Sequence, residues 1–113
     1  MKINEFETIK RVYYFLKSYQ TLLKLANMED TNGAFKKKAI EIVNIIDRYK
    51  DSLSEEKREI FSNLFTRSQK EVIKLSKLYK CLKIDKDKYR DIKNEILIDF
   101  AKRYREGALL VFE

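Results

Sequence analysis

The side chains in this chain that could do chemistry are mostly cationic. Histidine is absent and Cys81 is the only thiol, so imidazole acid–base catalysis, His/Cys zinc sites and an intramolecular disulfide are excluded at once. Cys81 lacks the partner that would activate it and is expected to be a buried or half-buried bystander. The carboxylate pairs Glu55/Glu56 and Asp85/Asp87 lack the glycine-bearing loop of a calcium site, so capping and surface solvation explain them. The sequence therefore predicts a protein that is not an enzyme and that needs no cofactor. Of the seven tyrosines, Tyr13, Tyr19, Tyr49 and Tyr104 fall on apolar helical stripes, which favours core packing over a platform for stacking single strands.

What remains is a set of Lys, Arg and Asn residues suited to phosphates and base edges. Lys70, Lys74 and Lys77 recur at helical spacing and are expected to form one exposed stripe that neutralises backbone phosphates. Arg67 precedes them, and Lys86, Lys88 and Lys93 add positive charge after an intervening turn. Arg90 has the chemistry to read guanine and Asn94 to read adenine in a major groove. Asp87 and Asp91 share their face, where they would repel phosphate or pin Arg90. A second cluster, Lys36-Lys37-Lys38, opposes the dipole at the start of its helix and reads as a solvated face.

The elements that must position these residues are helical. In 113 residues there is no proline and there are two glycines, with 44% hydrophobic and 38% charged side chains, the composition of one all-α domain. Five helices with short links are expected, packed as a compact bundle. The first, over 3–27, carries two neighbouring stripes: Phe6, Ile9, Tyr13, Leu16, Gln20 and Leu23, then Val12, Phe15, Tyr19, Leu22 and Ala26. So wide an apolar arc implies a central helix or one that continues into a partner chain. After a polar connection from Asn27 to Gly33, a second helix over 34–50 places Phe35, Ala39, Ile42, Val43, Ile46 and Tyr49 inward.

Ser54, followed by Glu55 and Glu56, caps a third helix whose buried side is Ile60, Leu64 and Phe65. Ser68 and Glu71 have the spacing of a capping box, which predicts a fourth helix from there to about Lys80 with Val72, Leu75, Tyr79 and Leu82 inward. Asp85 caps a fifth, reaching about Arg105 before Gly107, with Ile92, Ile96, Phe100 and Tyr104 inside. The apolar end, Ala108 to Phe112, is expected to fold back onto the body or to dock in a partner. Residues 68–100 thus have the order helix, short turn, helix of a helix-turn-helix, a shape that plain αα packing shares.

The run from Leu53 to Tyr104, LSEEKREIFSNLF…EVIKLSKLYKCLKIDKDKYRDIKNEILIDFAKRY, resembles the C-terminal half of small phage late-gene transcription activators of the RinA/ArpU/LtrC type, which look like a sigma-factor region-four helix-turn-helix. The residues that carry the resemblance are the charged helix before Phe61, the turn ending at Ile84, and Tyr89-x-x-Ile92-Lys93-x-x-Ile96-Leu97-x-x-Phe100-Ala101. It implies a DNA-binding regulator with double-stranded DNA as ligand and RNA polymerase as a second partner. Residues 53–106 would be the helix-turn-helix part and 1–50 a helical lead-in that dimerises or contacts polymerase. The resembling proteins usually have small, hydroxylated or basic residues where Asp85, Asp87 and Asp91 stand here.

Charge fits that expectation without deciding it. The 25 basic and 18 acidic residues give +7, and a pI near 9.4 suits nucleic acid, an acidic protein or an anionic membrane surface. The longest apolar runs are too short for a bilayer and the start has no secretory apolar core, so a soluble cytoplasmic protein is expected. The competing expectation is a helical module that binds and inhibits or shields another protein, like a bacteriocin immunity protein or a phage-encoded inhibitor. A homodimer is expected from the apolar first helix and tail.

Overall fold

The computed structural model describes residues 2–28 and 33–113. Six α-helices account for most of them: α1 (Glu5–Lys17), α2 (Tyr19–Asn27), α3 (Gly33–Ser52), α4 (Glu55–Phe61), α5 (Leu75–Leu82) and α6 (Lys86–Arg103). The all-α class expected from composition is what the structure has. Among the described residues no helix is long and apolar enough to cross a membrane.

The single helix expected over 3–27 is broken at Ser18. Its N–H and its hydroxyl both donate to the Phe15 carbonyl, a local bond that tightens the turn and competes with helix continuation. The break divides the wide apolar arc between two neighbours, with α1 packing on α6 and α2 on α3. Asn4 caps α1 by accepting from the Glu7 N–H at 3.0 Å, and Glu5 and Glu7 complement the positive helix end. Val12 and Leu16 are fully buried, but Phe6 is 74% exposed, against the expectation that it faces the core. Gln20 is half-buried because its amide donates to the Thr66 and Arg67 carbonyls, at 2.9 and 3.2 Å.

Most of the expected connection between α2 and α3, residues 29–32, lies outside the described residues. In α3, Ala39, Val43, Ile46 and Tyr49 are buried as their spacing predicts, while Phe35 in the first turn is exposed. The α2 helix has nine residues against twenty in α3, so it cannot cover α3 from end to end. Ser54 caps α4 as expected, accepting from the Lys57 N–H, and α4 then widens into a π-helical turn over Ser62–Thr66.

The centre of the molecule is α6, which buries Tyr89, Ile92, Ile96, Leu97, Phe100 and Ala101. Rings continue the core in a chain: Phe65 meets Phe61 at 5.2 Å between centroids, Phe61 meets Tyr49 at 5.6 Å, Tyr49 meets Phe100 at 5.0 Å and Phe100 meets Tyr104 at 5.4 Å. Each such pair adds about 0.5–1.5 kcal/mol beyond burial. The molecule measures 45 × 41 × 20 Å, and its thin dimension is the width of two helices.

After α6 the chain reverses through Arg105, Glu106 and Gly107, all at positive φ. Arg105 and Glu106 accept that costly region because the tail beyond them is anchored on both sides of α1's start. The Asn4 N–H donates to the Val111 carbonyl at 2.7 Å, the Val111 N–H donates to the Thr8 hydroxyl at 2.9 Å, and Phe112 pairs with Ile3 in an antiparallel bridge. Of the two fates expected for the apolar tail, folding back onto the body is the one observed.

Three tyrosine hydroxyls are held in the core. Tyr19 donates to Asp47 and Tyr49 to Asp99, each at 2.8 Å, while the Tyr89 hydroxyl is buried with no hydrogen-bond partner among the described residues. Burial foremost, then the adjacent carboxylate, raises the ionisation of Tyr19 and Tyr49 far above the ordinary range. Burial, followed by the neighbouring Tyr79 and Tyr13, pushes Tyr89 up to about 12. Above pH 10 the unfolded chain loses these protons while the folded chain keeps them, so stability is full below pH 10 and falls as pH rises. In an absorbance titration, Tyr19, Tyr49 and Tyr89 are expected to ionise only together with loss of helix. Smooth titration of all seven tyrosines near pH 10, with the helical signal intact, contradicts this packing.

Candidate nucleic-acid interface

Asn63 fixes the path of the basic segment. The π-helical turn points its side chain inward, where the residue is 5% exposed beside the buried Phe61 and Phe65. A buried amide must find partners, and this one takes both backbone groups of one residue. The Ile73 N–H donates to Oδ1 at 2.8 Å, and Nδ2 donates to the Ile73 carbonyl at 3.1 Å. The Arg67 guanidinium donates to the same Oδ1 at 3.3 Å and pairs with Glu59.

This clamp corrects the expected fourth helix. Only half of the expected Ser68–Glu71 capping box forms: the Ser68 N–H and hydroxyl donate to the Glu71 carboxylate at 3.1 and 2.9 Å, holding that carboxyl below its ordinary range, while the Glu71 N–H goes to the Ser68 carbonyl and not to the hydroxyl. It closes only one turn, because the Ile73 N–H and carbonyl that a helix would use are committed to Asn63. The helix α5 starts at Leu75, with Lys74 as its N-cap. Lys70, Lys74 and Lys77 therefore lie in a turn, at a cap and in a first turn, not along one helical stripe. Val72 and Leu75, expected inward, are 47% and 44% exposed; the anchor of α5 is Leu78, at 1%. Cys81 is exposed, contrary to expectation.

The left-handed Lys83, with φ of 58°, ends α5, and Asp85 caps α6 by accepting from the Lys88 N–H at 2.7 Å. Across this stretch Lys70, Lys74, Lys77, Lys80, Lys83, Lys86 and Lys88 are all exposed, and none forms an ion pair among the described residues. Residues 67–93 hold ten of the 25 basic side chains and four of the 18 acidic ones, so this quarter of the chain carries +6 of the net +7. Elsewhere the charges nearly balance, and ion pairs across or along the elements join Lys57 to Glu95, Arg103 to Asp99 and Arg105 to Glu41.

The residues expected to contact DNA divide into four groups. The lysines just named share the exposed segment, Lys93 being half-buried. Arg67 is turned inward, where it serves Asn63 and Glu59. Arg90 is exposed but bracketed by Asp87 at 3.6 Å and Asp91 at 3.7 Å, the pinning that their spacing suggested. Asn94 is half-buried and lines a groove of about 610 Å³ with Glu5, Tyr49, Lys57, Glu95 and Asp99. Lys80 and Lys83 belong to the segment and were missed by sequence reasoning, which assigned them to a helix end and a break. The three-residue step from Lys77 to Lys80 was the available signal.

No family model matches the chain, and neither does any curated protein or any solved structure.

The clamp has a direct test. Asn63→Leu keeps the branched shape but strands the Ile73 N–H and carbonyl, and is expected to destabilise the fold by about 2–4 kcal/mol in denaturant unfolding. Asn63→Asp retains the acceptor for the Ile73 N–H and should lose less. If Asn63→Leu unfolds at the wild-type midpoint, the amide is not what holds the segment.

Proposed function

We propose that the chain binds duplex DNA through the segment from Lys70 to Lys93, as a transcriptional regulator of the phage or mobile-element type that its C-terminal half resembles. The observation that carries this reading is the set of seven exposed lysines without an ion pair among the described residues, running from the turn before α5 through α5 and the following turn into the start of α6. Unpaired ammonium groups release no protein partner when they meet phosphate, and each one engaged displaces condensed counterions from DNA. In this reading α5 lies along the backbone and the start of α6 approaches the groove, the order of use in a helix-turn-helix. RNA polymerase as a second partner rests on the resemblance alone.

Backbone contact dominates in this reading. Lysine is a flexible point charge, suited to phosphate rather than to bidentate base readout. Arg90, the side chain with the fork geometry for guanine, must first leave Asp87 and Asp91, so sequence preference is modest. The second reading, a module that binds another protein, is favoured by Val72 and Leu75, whose apolar surface lies exposed among the same lysines.

Fluorescence anisotropy on duplex DNA over a range of salt concentrations separates the two. Each lost phosphate contact lowers the slope of log affinity against log salt by about 0.9, so Lys77→Ala/Lys80→Ala/Lys83→Ala is expected to lower it by about 2.7. Asp87→Asn/Asp91→Asn, which frees Arg90, is expected to tighten binding. An unchanged slope in the triple variant removes these lysines from the interface. No binding by the intact chain at low salt favours the protein partner.

A further inference from the structure

Between the Asn63 clamp and Asp85, α5 is held at its ends and weakly along its length. It has eight residues, fewer than the roughly 12–15 that an isolated helix needs to be stable in water. Its N-cap Lys74 makes no side-chain cap bond and its first turn holds no acidic residue, while Lys74 and Lys77 set positive charge at the positive end of the helix dipole. Only Leu78 is buried. Whereas α1 packs along α6 and α2 along α3, α5 has no such lengthwise partner among the described residues.

The seated position also leaves two local costs in place. Tyr79 lays its ring against Tyr89, with 5.2 Å between centroids, and the Tyr89 hydroxyl is buried with no hydrogen-bond partner among the described residues. Such a group gains hydrogen bonds as soon as water reaches it. At the far end of the helix, Lys83 occupies the left-handed region that L side chains rarely adopt, with φ of 58°.

We infer that α5 is a hinged strap, which lifts off Tyr89 and reseats while the rest of the fold stays intact. One pivot is Ile73, fixed by Asn63, and the other is Lys83, beside the Asp85-capped start of α6. Leu78 and Tyr79 draw the strap down. Hydration of the Tyr89 hydroxyl, release of Lys83 from its left-handed conformation and repulsion among Lys74, Lys77, Lys80 and Lys83 lift it. Once lifted, a helix this short unravels, so opening exposes its amides. Lys77 and Lys80 ride on the strap and Lys86 and Lys88 stay on α6, so each opening changes the spacing between two groups of cations. This inference concerns the chain alone and does not rest on the DNA-binding reading.

Native-state hydrogen exchange of the full chain, read amide by amide at low guanidinium concentrations, tests it. The amides from Leu78 to Leu82 are expected to be protected about a hundredfold less than those from Ile96 to Phe100, and to respond little to denaturant that speeds the latter. Tyr89→Phe, which removes the orphaned hydroxyl, should slow exchange in α5 about five- to tenfold. Leu78→Ala should abolish protection in α5 while Ile96 to Phe100 stay protected and circular dichroism loses only the share of eight residues. Equal protection and equal denaturant dependence in α5 and α6 overturn the inference. So does exchange in Tyr89→Phe that matches or exceeds the wild-type rate, or loss of α6 protection together with α5 in Leu78→Ala.

Discussion

A single buried amide constrains this fold more than any other polar group. Asn63 is 5% exposed in the turn that follows α4, where an unsatisfied amide would cost about 1–3 kcal/mol. It is satisfied by the main chain of Ile73, ten residues further on, and by Arg67. That bond pattern draws the chain across the end of α4, delays the next helix until Leu75 and delivers α5 with its lysines outward. The π-helical turn is part of the same device, since its extra residue per turn is what places Asn63 in the interior. Such widened turns tend to occur where function is near, and here the segment they position carries nearly all of the net charge.

The second constraint is thickness. A slab two helices thick has no deep interior, so each helix needs one apolar face and can leave the other free. The break at Ser18 meets that requirement by turning two adjacent stripes on one continuous run into two shorter helices with different neighbours. It leaves the outer face of α1 open, and Phe6 and Tyr14 stay there. Electrostatics obeys the same division. Outside residues 67–93 the charges nearly cancel and several are paired across elements, whereas inside that segment the lysines face solvent alone. The surface potential is therefore local and not a property of the whole molecule.

Much of this was legible in the sequence, for identifiable reasons. Helix starts governed by one side chain were readable: Ser54 and Asp85 cap where their position before an apolar-periodic run predicts. The inner stripe of α6 was readable because Ile92, Ile96, Phe100 and Tyr104 keep a strict spacing. What failed depended on partners distant in the chain. The Ser68–Glu71 spacing gives half of a capping box, and nothing local shows that Ile73 belongs to Asn63. Ser18 is an ordinary residue in a helix until its hydroxyl turns back to Phe15. Phe6 and Phe35 keep the period of their stripes, yet each lies in a first turn that its neighbouring helix does not cover. For the candidate interface, the concentration of positive charge in residues 67–93 can be counted from the sequence, but the helical stripe expected of Lys70, Lys74 and Lys77 was not real, because the Asn63 clamp delays α5 to Leu75.

If the segment from Lys70 to Lys93 is what meets phosphate, its amides must sense DNA while the rest of the chain does not. Titration of the isotope-labelled chain with a short DNA duplex at low salt, observed amide by amide, reads this out. Shifts or broadening should concentrate in residues 70–93, strongest around Lys77, Lys80 and Lys83 and reversed by added salt, with α2 and α3 unperturbed. Perturbations centred on α1 to α3, or no perturbation anywhere, would refute that assignment.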